Sequence, residues 1–180
     1  MLKSTKIFLT IAVLCVPSMM FMELAKSAAE MVEKIGDYFQ VMVPVYAFFF
    51  TAEKEGFRGT KQFLFGFLIT MLIVFAMKHT IDAKRPNYQP GARMDSFPSR
   101  HTAAAFSGAS FIHTRYGLQQ ALIPYALAAF TGYSRIIANK HYFRDIAAGA
   151  LISFCCALLM SCCQSRLNAV NRAPPLRKKF

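Results

Sequence analysis

Six apolar stretches divide this chain, at roughly residues 7–24, 39–52, 61–77, 102–118, 119–134 and 146–163. A helix needs about 20 apolar residues to cross some 30 Å of hydrocarbon. A chain of 180 residues would suit one ordinary domain, yet 55% of it is hydrophobic, its mean hydropathy is +0.34 and 18 residues are Phe. The pattern predicts an all-α, polytopic membrane protein with about six transmembrane helices in a compact bundle, residues 1–180 forming one integral-membrane domain.

Two of the stretches admit a second reading. FQVMVPVYAFFFTA is short and contains Pro44, so it fits either a span or a buried or re-entrant helix. The first stretch follows Lys3 and Lys6 and ends near Ala25-Lys26-Ser27, a pattern shared by a first membrane helix and a cleavable secretory signal. Either way, residues 26–38 are expected outside the membrane on its outer face. A lipoprotein site is excluded because Leu14, directly before Cys15, is too large for that processing.

The net charge of +12 has an ordinary explanation in basic flanks that meet anionic headgroups, and nothing in the sequence resembles a nucleic-acid-binding module. With the N-terminus inside, basic residues divide almost evenly between the two sides. The positive-inside signal sharpens only if Lys78, Arg85 and Arg135 are kept for chemistry, and the tail RAPPLRKKF then marks the cytoplasmic side. Cys155, Cys156, Cys162 and Cys163 recur seven apart, but one apolar helix supplies no closed tetrahedral set, so no metal is expected. Small residues at 147–150 and 103–110 read as close helix-packing faces.

Charge collects in two loops that this topology places at one membrane surface: KHTIDAKRPNYQPGARMDSFPSRH and SRIIANKHYFRD. Lys78 and Arg85 are seven apart at the end of a helical run that Pro86 helps to stop, which predicts both cations on one face, suited to an anion. Ser99 is placed to cap a helix whose free N–H groups point towards negative charge. His141 and Asp145 are four apart, so the carboxylate can hold one imidazole nitrogen and leave the other as a nucleophile. Each feature alone has a plain alternative: snorkelling cations, a simple cap, a surface ion pair, a hydrogen-bonded core histidine at His101. Together the alternatives fare poorly, because two of only four histidines fall beside cations and a helix start on the same side.

Three ordered blocks carry a family likeness. Lys78 to Pro86 fits K-x6-RP, Pro98 to His101 fits PSGH with one change, and Ser134 to Asp145 fits SR-x5-H-x3-D. The chain thus resembles the type 2 phosphatidic acid phosphatase family, whose fold is shared with vanadium haloperoxidases. The resemblance implies hydrolysis of a phosphate ester or anhydride through a phosphohistidine, without metal or other cofactor. It implies His141 as nucleophile, Asp145 as its orienting carboxylate and His101 as the acid and base. It also implies Lys78, Arg85, Arg135 and Ser99 as the clamp for the phosphate oxygens.

The departure is Arg100, where the family has glycine. A positive φ would strain an arginine there; the side chain is expected either to reach a second phosphate, aided by Lys84 and Arg93, or to point into water. The expected partner is a phosphorylated membrane lipid entering from the outer leaflet, past an apolar stripe of Met31, Ile35, Tyr38 and Phe39. Candidates are a polyprenyl diphosphate, lipid A or a glycerophospholipid phosphate. The expected setting is a bacterial inner membrane with the site facing outward. Two other readings stay open: a phosphotransferase passing the phosphoryl group to a second lipid, and a non-catalytic protein that binds or moves anionic lipids.

Overall fold

A computed structural model describes the backbone of residues 2–172 and the side chains of residues 22–163. The expectations resting on Lys3, Lys6, Leu14, Cys15 and the tail RAPPLRKKF lie outside the described side chains. The described residues form four helices and no strand: α1 (Leu2–Thr80), α2 (Arg100–Tyr116), α3 (Leu118–Ile137) and α4 (Phe143–Arg172). The all-helical expectation holds; among the described residues two helices, α1 and α4, carry stretches long and apolar enough to cross a membrane.

The continuity of α1 is what the apolar stretches do not show. Its helix runs through the first two of them and through residues 26–38 between. The physical reason is in the segment AKSAAEMVEKIGDY: it is polar enough to look like a connection, yet it is built of Ala, Glu, Lys and Met, strong helix formers, with no proline. Helix geometry breaks only at Gly56, with φ 61° and ψ −150°, a conformation that glycine adopts without a Cβ penalty. Residues 37–55 descend about 28 Å at 1.5 Å per residue, and residues 57–80 return. Pro44 lies within the descending arm, and residues 39–52 are helical throughout.

Pairs at each end fix the helix directions: α2 runs parallel to the first arm of α1, and α3 returns. At one end Arg115, in the last turn of α2, grips Glu55 just before the break, its Nε donating to Oε1 at 2.7 Å. At the other end Asp37 approaches His101 at the start of α2, and Glu33 pairs with Lys140 after α3. Both charged loops therefore meet at one end of the bundle, as the sequence predicts.

Apolar side chains point outward as well as inward. The two helices with the most apolar windows bury only 22% and 28% of those windows, while Phe49, Phe65, Leu68, Leu72, Ile123 and Leu159 are exposed on several helices. Water would not tolerate such a belt, and lipid does: this is a membrane protein. Inside, Ala47, Phe63, Phe111, Ile112 and Ala121 form one core cluster and Val43, Ala105, Ala109 and Ala128 another.

Small residues set the helix spacing, as expected at 103–110; of residues 147–150 only Gly149 is buried. A Cβ on Gly108 would lie 2.9 Å from the Val43 carbonyl oxygen of α1, and one on Gly149 would lie 2.7 Å from the Ser99 carbonyl oxygen. Both neighbours are backbone and cannot swing aside. Gly149→Ala should therefore lower stability by about 1–3 kcal/mol through overpacking, read as a lower thermal midpoint in detergent. An unchanged midpoint would contradict this contact.

Candidate active site

Asp145 sits in the first turn of α4 with none of its surface exposed. A helix N-terminus favours a carboxylate, and direct donors satisfy it further: Ser96 Oγ donates to Oδ2 at 2.5 Å and the Tyr142 N–H at 3.0 Å. Arg144 Nε lies 3.5 Å from Oδ1. His141 Nδ1 stands 3.6 Å from Oδ2, so the pair is aligned as expected but longer than a hydrogen bond. Such contacts commonly tighten only when substrate fills the site. Burial, then the cations of Lys78 and Arg85, push the His141 imidazole down to about 4, against the pull of Asp145. The ring is therefore neutral at pH 7, the form a nucleophile needs.

The loop between α1 and α2 folds back on itself. Ala83 and Asp95 form an isolated parallel bridge, with the Ala83 N–H donating to the Met94 carbonyl at 3.1 Å and the Ser96 N–H to the Ala83 carbonyl at 2.9 Å. This pairing ends α1 at Thr80, so Arg85 is not on a helical face shared with Lys78; that expectation is corrected. Asp95 gathers the two cations instead. Its carbonyl accepts from Lys78 Nζ, and its Oδ1 lies 3.0 Å from Arg85 Nε. Burial alone would raise the Asp95 carboxyl, but the charges of Arg85 and Lys78 outweigh it and hold it below the usual range.

Ser99 caps α2 as predicted: buried, it accepts from the Thr102 N–H and Thr102 Oγ1. Its own N–H is engaged, donating to the Asp145 carbonyl at 2.9 Å, which ties the two charged loops together. Arg100 is the first residue of α2 and carries no strain; the one non-glycine residue with positive φ among those described is Asn139. Arg100, Lys84 and Arg93 do not converge. Arg100 lines a groove with His101, Lys84 lies 5.0 Å over the Tyr88 ring, and Arg93 lines a separate cavity with Arg85 and Asp95.

Arg135, 1% exposed, turns towards α1: Nη2 donates to the Glu33 carbonyl at 2.7 Å, Nε to Ser134 Oγ at 3.1 Å, and Nη1 lies 3.0 Å from Asp37 Oδ1. Asp37 Oδ1 is also 3.3 Å from His101 Nε2. Burial, then the Arg135 and Arg100 charges, push His101 down to about 3. All eight residues named from the sequence thus lie at one end of the bundle. Sequence reasoning missed Ser96 and Asp95, and it missed Glu33, Asp37 and Lys140. Glu33 and Asp37 did leave a signal: two carboxylates four apart, in a chain with only nine.

A groove of about 690 Å³ runs between the two arms of α1, walled by Pro44, Phe48, Phe63, Phe67 and Met71 and ending at Arg100 and His101. Of the apolar stripe, Met31 and Tyr38 are exposed, whereas Phe39 packs edge-on against Phe130. Among the described residues no cluster of His, Cys, Asp and Glu could hold a metal ion.

The family model of the PAP2 superfamily matches residues 59–169. The chain belongs to that superfamily. It is a phosphatase of the PAP2 type, as the three sequence blocks imply. A curated relative, the lipid A 4'-phosphatase of Helicobacter pylori, is 28% identical over 144 residues, covering 74% of this chain and 71% of that protein. The lipid A 1-phosphatase of Porphyromonas gingivalis is 37% identical over 83 residues, 44% of this chain and 18% of the relative.

Two solved structures share the fold at a TM-score of 0.57 each. Aquifex aeolicus LpxE is 23% identical and aligns over 77% of this chain and 93% of its own. A PAP2-type phosphatidylglycerolphosphate phosphatase from Bacillus subtilis is 20% identical, over 93% and 98%.

The depressed His141 has a direct check. Its ring, followed by NMR through an acid titration of the detergent-solubilised protein, should be half protonated near pH 4 and stay neutral from pH 5 upward. A midpoint at the ordinary value near 6.5 would contradict the burial and charge described here.

Proposed function

We propose that this PAP2 phosphatase removes phosphate from a lipid phosphate or diphosphate at the outer face of the cytoplasmic membrane, through a phosphohistidine at His141. The observation that carries the reading is the meeting of a buried His141–Asp145 pair with Lys78, Arg85, Arg135 and His101 where an apolar groove ends. A lipid tail lying in that groove brings its headgroup to His101 and Arg100.

The steps follow from the geometry. Asp145 lies on the Nδ1 side of His141, so Nε2 attacks phosphorus. His101, neutral in the free protein, takes a proton as the phosphate's negative charge arrives beside it, and the bond from phosphorus to the leaving oxygen breaks as the ring passes that proton on. Lys78, Arg85 and Arg135, with Ser99 at the head of α2, hold the three equatorial oxygens as charge spreads over them. Water then gives its proton to His101 and attacks phosphorus; the P–N bond breaks, phosphate leaves and both histidines return to their first state. The cations supply the charge stabilisation that magnesium provides elsewhere, so no metal is required. Among the three lipid classes, the lipid A phosphatases among the relatives favour lipid A.

The two histidines are separable by experiment. With a labelled substrate carrying a good leaving group, His101→Ala should accumulate phosphoprotein, and His141→Ala should carry no label. Asp145→Asn should fold and turn over about 10³- to 10⁴-fold more slowly, by analogy with a triad that loses its orienting carboxylate. Label mapped to residue 101 would overturn the assignment. Products from lipid A, a polyprenyl diphosphate and a glycerophospholipid phosphate, with and without acceptor lipid, identify the substrate and separate hydrolysis from transfer. Activity abolished by chelator and restored by magnesium would contradict metal independence.

A further inference from the structure

His141 has a carboxylate partner by way of its own sequence block, but His101 has none there. In the folded chain one arrives from elsewhere. Asp37 lies 64 positions earlier on α1, with Oδ1 3.3 Å from His101 Nε2 and 3.0 Å from Arg135 Nη1. That oxygen is shut off from solvent and makes no hydrogen bond of good geometry. It is a carboxylate oxygen aimed into the site whose contacts complete only when a ring proton turns to it. The groups around His101 are otherwise cationic or neutral: Arg100 on α2, Arg135 on α3, Lys140 and His141 in the next loop. An imidazolium there needs a counter-charge, and among the described residues Asp37 is the carboxylate that touches the ring.

The packing beneath Asp37 is specific. A Cβ on the neighbouring Gly36 would overlap Ser134 Oγ at 1.9 Å, so only glycine lets this turn of α1 lie against α3. Glu33, one turn earlier, binds Lys140 and accepts from Arg135 through its carbonyl. The α1 backbone is thereby fixed where Asp37 meets His101.

We infer that Asp37 is a positioning residue that holds the Nε2–H of His101, so that Nδ1 exchanges the proton with the leaving oxygen and then with water, and that it stabilises the imidazolium formed when water is deprotonated. This inference rests on the phosphohistidine reading above. No proton is gained or lost in the scheme: the one that His101 gives to the leaving oxygen is replaced by the one it takes from water, and Asp37 stays ionised throughout.

The test separates steps. With the full chain in detergent and 4-nitrophenyl phosphate, whose leaving group needs no acid, Asp37→Asn should form phosphohistidine in the first turnover as fast as the unsubstituted chain. It should then release phosphate about 10- to 100-fold more slowly, a part of the roughly 10²- to 10⁴-fold that a general acid or base contributes. With a lipid alkyl phosphate, both steps should slow. Asp37→Glu should recover part of the loss. Thermal midpoints for each variant show whether α1 stays docked through Glu33.

Equal slowing of phosphohistidine formation from the aryl substrate would show a merely structural role and overturn the inference. So would an unchanged rate in every step, or a faster one, the sign that Asp37 only occupies the anion site. An unsubstituted chain that forms no phosphohistidine at all would sink the phosphatase reading itself, independently of Asp37.

Discussion

A carboxylate with no exposed surface lies at the head of α4, and the rest of the site is arranged around satisfying it. An unpartnered ion at Asp145 would cost several kcal/mol. Ser96 from the first charged loop, the Tyr142 N–H from the second and the α4 N-terminus share that demand. The Asp145 carbonyl in turn fixes Ser99, and Ser99 fixes the start of α2. One buried group thus sets the relative positions of His141, Ser99 and His101. It also explains why glycine is needed at 149, where the backbones of α4 and the α2 cap come within contact distance.

Around this anchor the cations are held by carboxylates and carbonyls. Asp95 holds Arg85 and Lys78, while Glu33 and Asp37 hold Arg135, and Glu33 also holds Lys140. The site is preorganised for an anion because Arg135 is buried, Lys78, Arg85 and Lys140 are half-buried, and all are already held in place. A phosphate must compete with these carboxylates, so affinity comes from charge and geometry together. The His141 ring stays neutral because burial, and then the charges of Lys78 and Arg85, disfavour its proton. The proposed nucleophile and its proposed clamp therefore share one field.

Much of this was legible in the sequence. The three blocks mark His101, His141, Asp145, Lys78, Arg85, Ser99 and Arg135 by local spacing, and the folded chain brings all of them to one end. What hydropathy did not show was the continuity of α1. Residues 26–38 are polar yet strongly helical, so α1 runs on through them. Lys78 and Arg85 were expected on one helical face, but the Ala83–Asp95 pairing ends the helix between them. Glu33 and Asp37, four apart, left a faint signal, but the pairing of Asp37 with His101 was invisible for another reason: the partners are 64 residues apart, and no local period links a carboxylate on α1 to a histidine on α2.

The central claim is that this end of the bundle is built for a phosphoryl group passing through a trigonal-bipyramidal arrangement, with His141 at one apex. Orthovanadate adopts that shape, and its effect on turnover tests the claim most directly. It should inhibit below millimolar concentration, competitively with the phosphorylated substrate, and its binding should weaken sharply in His141→Ala. Undiminished turnover at millimolar vanadate, or equally tight binding without the His141 imidazole, would contradict the account.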